Sequence, residues 1–297
     1  MVTIKGVRYM TDYEAKNAII DIGRRMYTRG FVAANDGNIS CKVGPNAIWA
    51  TPTGVSKGFM KPEMLVKLDL SGKVLQGTSK PSSELKMHLR VYAENPEVNA
   101  VTHAHPPVAT AFAVAGIGLD KPILTESVMM LGSVPIARYA TPGTQEVPDS
   151  IAPFVKEYNA VLLANHGALT WGKDAYEAFY RLESVEYYAN LLMYTGNIIG
   201  KQNPLSCDQI NVLIENRKKY GITSGGVPTC NCETTNMQDV VPDPGPVSCG
   251  CGSLPIGESR KAEPAAAPEA RKPVSGTIPR TKEEIIAEVV RRVTEQM

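Results

Sequence analysis

The chain has 297 residues, and its 31 basic side chains against 30 acidic ones leave a net charge of +1, a balance that does not favour a polyanionic partner such as nucleic acid. Hydrophobic residues make up 43% and charged residues 21%, an ordinary globular composition with length enough for one large core or two smaller ones. No run is long and uncharged enough to span a bilayer, and the opening MVTIKGVRYM lacks the basic-then-apolar order of a secretory signal, so a cytosolic chain is expected.

Residues 11–29 read as an amphipathic helix. Thr11 and Glu14 supply a capping box, and Ala15, Ala18, Ile19, Ile22 and Met26 recur at helical spacing up to Gly30. AIWAT (47–51) and MLVKLDL (64–70), punctuated by Gly and Pro, read as short strands. A second helix is predicted from near Ser82, with Leu85, Leu89 and Tyr92 on one face, ending before Pro96. VNAVTHAH reads as a strand, VATAFAVA as a buried helix, VPIARYA and AVLLAN as strands, and 174–195 as a long helix closed by Gly196. Short strands alternating with helices predict an α/β domain over residues 1–222.

Composition then changes. Residues 223–280 are rich in Gly, Pro, Ser, Thr and Ala and hold too few large apolar side chains to offset the entropy of ordering, so they read as a linker. TKEEIIAEVVRRVTEQM (281–297) reads as a helix, with a Thr281/Glu284 capping box and an apolar stripe of Ile285, Ile286, Val289, Val290 and Val293. A lone helix of that length is marginal in water, so the stripe is expected either to fold back on its own domain or, as the long linker favours, to dock on an outside partner.

Two of the four histidines stand in AVTHAHPP. Residues i and i+2 of a strand share a face, so His103 and His105 can reach one ion where Pro106 and Pro107 end the ladder. His166 follows the apolar run of AVLLANHGALT in a similar setting, and three imidazoles with one exchangeable position make a catalytic zinc site. His88 reads as a partly buried helix residue. Glu84, in KPSSELKMH, is a carboxylate at a helix start, where Ser82, Ser83 and free N–H groups suit a phosphate. GNIS, with Asn38, and TPTGVSKG, with Lys57, suit the same anion.

Of six cysteines, Cys41 and Cys207 are isolated, while Cys230, Cys232, Cys249 and Cys251 crowd together. In a reducing compartment this pattern argues against a permanent disulfide framework. A four-thiolate zinc or iron–sulfur site, redox-labile thiols, or no role all remain open for the cluster.

GNIS, TPTGVSKG, KPSSELKMH, THAH, RYATPGT and NHGALTWG, in this order, resemble the class II aldolase/adducin family over roughly residues 10–200, with the nearest likeness to its fuculose-phosphate-type ketose-phosphate aldolases. The resemblance implies a three-layer α/β/α fold around a mainly antiparallel sheet and a homotetramer with sites at subunit interfaces. It implies Zn²⁺ on His103, His105 and His166, with Glu84 as acid/base and resting fourth ligand. It assigns phosphate binding to Asn38, Thr53, Gly54, Ser82 and Ser83. The implied reaction is reversible cleavage of a deoxyketose 1-phosphate, L-fuculose or L-rhamnulose 1-phosphate, to dihydroxyacetone phosphate and lactaldehyde. Pentulose-phosphate 4-epimerases, a sugar-phosphate dehydratase and adducin-like non-catalytic modules share the scaffold. Two positions depart from the fuculose type: Leu124 stands where those members carry a tyrosine, and Tyr194 and Tyr220 are the candidates for their C-terminal tyrosine. The tail resembles an encapsulation peptide, which implies a bacterial cytoplasmic enzyme packed inside a microcompartment through contacts of 281–297 with shell or cargo proteins.

Overall fold

The central strands carry apolar or small side chains on both faces, as a sheet covered on both sides by helices demands. The structure is a computed structural model that describes residues 2–4 and 7–230. A hairpin of Val2–Ile4 (β1) and Val7–Tyr9 (β2) leads into helix Asp12–Thr28 (α1), whose N-cap Thr11 forms the expected capping box with Glu14. The main sheet is built from Asn38–Gly44 (β3), Ala47–Ala50 (β4), Val66–Leu68 (β5), Val74–Gln76 (β6), Ala100–Ala104 (β7), Ile136–Ala137 (β8), Ala160–Leu163 (β9) and Gly167–Gly172 (β10). Its order is β6-β5-β4-β3-β7-β10-β9-β8, antiparallel throughout except for the β8–β9 pair. The helices are Leu85–Glu94 (α2), Pro107–Val114 (α3), Thr125–Met130 (α4), Glu146–Ile151 (α5), Ala175–Met193 (α6) and Cys207–Lys219 (α7).

Period-2 alternation divides the core into two. Ala100 and Ala104 of β7, Ala168 of β10 and Leu162 of β9 pack on one side with Ile19 and Ile22 of α1, Ala109 and Ala113 of α3, and Phe179 and Leu182 of α6. Val101, Leu169, Trp171 and Leu163 pack on the other side with Leu85, Met87 and Val91 of α2 and with Val147 and Ile151 of α5. The result is the three-layer α/β/α arrangement with a mainly antiparallel sheet. No helix of the described residues is long and apolar enough to cross a membrane.

Several local expectations need correction. VPIARYA contributes only the two-residue edge strand β8, and MLVKLDL only Val66–Leu68, because Pro62 starts a 3₁₀ turn at Pro62–Met64. Gly196 does not close α6. A π-helical turn, Tyr194–Ile198, runs through it, and the left-handed residue that lets the chain turn is Gly200, with φ of 71°. Only the Ala109 and Ala113 side of α3 is buried, and Val114 lies open to solvent. The sequence reading passed over α7, although Ser206 and Gln209 form a second capping box there.

Residues 224–230 pack against the body. Gly225 and Gly226 donate to the Glu157 carbonyl, Ser133 N donates to Gly225 O, and Thr229 Oγ1 donates to Asp120 at 2.6 Å. Cys207 and Cys230 are joined as a disulfide, which runs against the expectation that the chain has no permanent disulfide framework. Cys230 is thereby withdrawn from any four-thiolate site, while Cys232, Cys249, Cys251 and the helix expected at 281–297 lie outside the described residues. Among the described residues Cys41 is the one free cysteine, and it is buried.

Candidate metal centre

β7 lies in the middle of the sheet between β3 and β10, and His103 faces Asn38 on one side and Leu169 on the other. His105 follows directly after the strand, where its backbone N–H donates to Phe31 O at 2.9 Å. The chain then enters α3, whose first N–H groups are held by Glu186 of α6 at 3.1 and 2.8 Å. His166 arrives from the β9–β10 turn, in which Asn165 takes φ of 58°. Gly167 is needed there, because a Cβ would sit 2.5 Å from Ala104 O and 2.6 Å from the His105 ring.

The three rings converge. Their centroids are 4.7 to 5.0 Å apart, and one ligand nitrogen from each falls within 4.8 Å of the others. His103 Nδ1 lies 2.9 Å from Ala168 O, and a carbonyl can only accept, so the neutral ring keeps its proton on Nδ1. His105 Nδ1 faces Asp36 Oδ2 at 3.5 Å, which favours the same tautomer. Both Nε2 atoms then present bare lone pairs, only 3.2 Å apart. Two lone pairs at that distance repel unless a cation lies between them. Tetrahedral ligation with metal–nitrogen bonds of about 2.0–2.1 Å places ligand nitrogens about 3.3 Å apart, so this donor set fits a divalent ion. Outer partners on the second ring nitrogens are the usual support of ligating histidines. Burial pushes the His103 ring down to about 3 and also lowers His105, keeping both neutral and ready to ligate.

Glu84 is the N-cap of α2 but does not cap its own helix. Its carboxylate turns to the histidines instead, with Oε1 3.0 Å from His166 Nε2 and Oε2 3.7 Å from His103 Nε2. Asn38 Nδ2 donates to Oε2 at 2.6 Å. Burial works to raise this carboxyl, but its contacts with His166 Nε2 and the Asn38 amide outweigh it and hold the group ionised below the usual carboxylate range.

In front of Glu84 lies a cavity of about 300 Å³ lined by Thr53, Ser82, Ser83, Lys57, His105 and His166 among others. Thr53 is held by its N–H on Lys80 O, and Ser82 Oγ accepts from Glu84 N. Lys57 is almost fully buried and spends two donors on Asn35 O and Val55 O, bracing the two loops of the cavity wall. Burial brings its pKa down to about 8, with Asp36 and Glu84 opposing that. Gly54, with φ of 72°, turns the loop beside Thr53 but does not line the cavity. Asn38 does not line it either, since it is fully buried behind Glu84. Among the described residues no tyrosine lines this cavity: Tyr220 borders a different one beside Trp171, at the opposite end of β10 from His166, and Tyr194 is exposed on the π-helical turn. Leu124 is the N-cap of α4. His88, expected to be partly buried, is wholly so, and both its nitrogens are hydrogen-bonded.

A profile of the Class II Aldolase and Adducin N-terminal domain matches residues 17–193. The chain belongs to that family. It is 33% identical over 192 residues to a 3-oxo-tetronate 4-phosphate decarboxylase of Pectobacterium atrosepticum, which covers 63% of this chain and 87% of that one. It is 35% identical over 179 residues to an L-fuculose phosphate aldolase of Methanococcus maripaludis, covering 60% and 96%. A solved L-fuculose 1-phosphate aldolase superposes with a TM-score of 0.64 at 30% identity, over 69% of this chain and 96% of that one. The chain is thus an enzyme of the class II aldolase type, a family that works with a divalent metal. The decarboxylase relative adds a reaction class that the sequence reading did not consider.

Burial pushes His88 down to about 3 from an ordinary 6.5, with Glu84 opposing. The unfolded chain therefore binds a proton that the folded chain refuses between those values. The stability His88 contributes is complete above pH 6.5 and is lost as pH falls through that window, by at most about 1.4 kcal/mol per pH unit. Urea unfolding of metal-free protein at several pH values, wild type minus His88→Gln, should show this slope, and a flat difference would contradict it.

Proposed function

We propose that the chain is a zinc-dependent aldolase that reversibly cleaves a deoxyketose 1-phosphate, L-fuculose or L-rhamnulose 1-phosphate, to dihydroxyacetone phosphate and lactaldehyde. The observation that carries this reading is Glu84. Its carboxylate stands 3.0 Å from His166 and faces the cavity that Thr53, Ser82 and Ser83 line with hydroxyls. Three neutral imidazoles are a donor set that suits zinc. When bound, the ion supplies Lewis acidity at the carbonyl end of the substrate, so no Schiff-base lysine is required.

The protein's own groups do the rest. Thr53, Ser82 and Ser83, with Lys57 behind them, hold the phosphate and fix the ketose along the cavity. As the C3–C4 bond breaks, the C4 hydroxyl becomes the aldehyde carbonyl and its proton passes to the Glu84 carboxylate, while the bond's electron pair stays on the dihydroxyacetone phosphate half. Glu84 returns a proton to that carbon, and in the synthetic direction it removes the same proton. With no substrate present, the carboxylate can stand as fourth ligand beside the three histidines.

The decarboxylase relative supports a second reading. Loss of CO₂ from a 3-oxo-tetronate 4-phosphate leaves the same dihydroxyacetone phosphate fragment, so one set of residues would serve both cleavages. A panel of L-fuculose, L-rhamnulose and L-ribulose phosphates and 3-oxo-tetronate 4-phosphate, read separately for lactaldehyde, CO₂ and epimer, tells the readings apart. Lactaldehyde release sustains the aldolase. Glu84→Gln should keep zinc and phosphate but lose about 10²–10⁴-fold in turnover. Near-normal cleavage by that variant defeats its role, and a chain that carries no metal and turns over nothing is an adducin-like module.

Assembly into a homotetramer and packing into a microcompartment through 281–297 belong to the same proposal, supported by the family resemblance and by the apolar stripe of the tail. A fluorescent reporter fused to 281–297 should form foci in cells that make intact shells. A diffuse signal in those cells would remove the packing role.

A further inference from the structure

Behind Glu84, away from the cavity, four polar side chains are packed where no water reaches. Asn38, Ser40 and His88 are 0% exposed and Tyr92 is 2% exposed. They come from two matched faces. Glu84, His88 and Tyr92 recur every fourth residue along α2, and Asn38 and Ser40 alternate on β3, so one helix face meets one strand face. Their contacts form a single row: Glu84 Oε2 to Asn38 Nδ2 at 2.6 Å, Asn38 Oδ1 to His88 Nε2 at 2.6 Å, and His88 Nδ1 to Ser40 Oγ at 2.7 Å. Tyr92 closes the row, its hydroxyl 2.8 Å from Ser40 Oγ and 3.1 Å from Ser40 O.

Proton bookkeeping gives the row one direction. A carboxylate can only accept, so Asn38 must present its Nδ2 to Glu84. Its Oδ1 then faces His88, which must carry its proton on Nε2. The bare Nδ1 accepts from Ser40 O–H, and Ser40 accepts from Tyr92. Turning the Asn38 amide over would set an oxygen against the carboxylate and an NH₂ against an N–H, so the amide can point only one way while His88 keeps that tautomer. Leaving any of these buried groups unpaired forfeits the hydrogen bond that offsets its desolvation, which keeps the row intact.

We propose that His88 is a positioning residue for the reaction. By fixing the Asn38 amide it holds the Glu84 carboxylate at the angle and distance needed to reach both the histidine cluster and the substrate carbon. This rests on the acid/base reading of Glu84. It also gives Asn38 the task of orienting that carboxylate.

The test uses metal-loaded full-length protein and dihydroxyacetone phosphate alone, following exchange of its hydroxymethyl C–H with deuterated water by proton NMR. His88→Leu fills the space but cannot orient the amide. It should lower the exchange rate at saturation by about 10–100-fold, with metal content and KM close to wild type. His88→Gln can still donate to Asn38 Oδ1 and should recover most of that loss. If the leucine variant fails to fold, His88→Asn replaces it, since that side chain can serve Ser40 but stops short of Asn38.

A readout free of turnover accompanies the kinetics. The Asn38 side-chain amide, observed by selective labelling, should be protected from solvent in wild type and in His88→Gln, and exchange quickly in His88→Leu. Leucine and glutamine variants that match each other in exchange rate and in amide protection would overturn the proposal. If Glu84→Gln exchanges like wild type, the acid/base reading has failed, and the amide signal still decides whether His88 orients Asn38.

Discussion

Three imidazoles and a carboxylate occupy one small volume at the end of the two central strands. Two of the nitrogens, His103 Nε2 and His105 Nε2, face each other at 3.2 Å with their protons directed elsewhere, toward Ala168 O and Asp36. Left alone, such an arrangement is repulsive and desolvated. It persists because the backbone around it is over-determined. β7 is paired on both sides, His105 N is tied to Phe31, and Gly167 allows β10 to begin in contact with Ala104. A cation turns the repulsion into ligation, and the rest of the site follows from where that cation must sit.

The two faces of the sheet share the labour. The α1, α3 and α6 side supplies apolar mass and, through Glu186, anchors the start of α3 just after the histidine strand. The α2 side supplies Glu84 and the hydrogen-bonded row beneath it. Since α2 also buries Leu85, Met87 and Val91, the carboxylate is mounted on an element that the core holds in place. Reactive carboxylate and metal ligands therefore sit on different elements, brought together by one packing interface.

What could be read from the sequence follows physical range. Local signals worked: the Thr11/Glu14 box starts α1, and the alternation through AVTHAH puts His103 and His105 on one face because strand geometry leaves no other choice. Signals that depend on distant partners did not. His88 looked like one more residue on an amphipathic helix, and only the packing of α2 on β3 shows that it lies between Asn38 and Ser40. Asn38 likewise gives no local sign that its amide lies between Glu84 and His88. The pairing of Cys207 with Cys230 needs residues 223–230 to fold back onto the body, which their Gly- and Ser-rich composition conceals. Gly196 misled because a glycine at a helix end is a stop signal only when the backbone there turns left-handed, and here that residue is Gly200.

The central claim is that His103, His105 and His166 bind one divalent ion together. X-ray absorption at the zinc edge on purified, zinc-loaded protein tests it most directly. The account predicts a four-coordinate first shell of nitrogen and oxygen at about 2.0–2.1 Å, with outer-shell scattering from three imidazoles that diminishes when His105 is replaced by Ala. A sulfur shell, or a spectrum unchanged by that substitution, would contradict it.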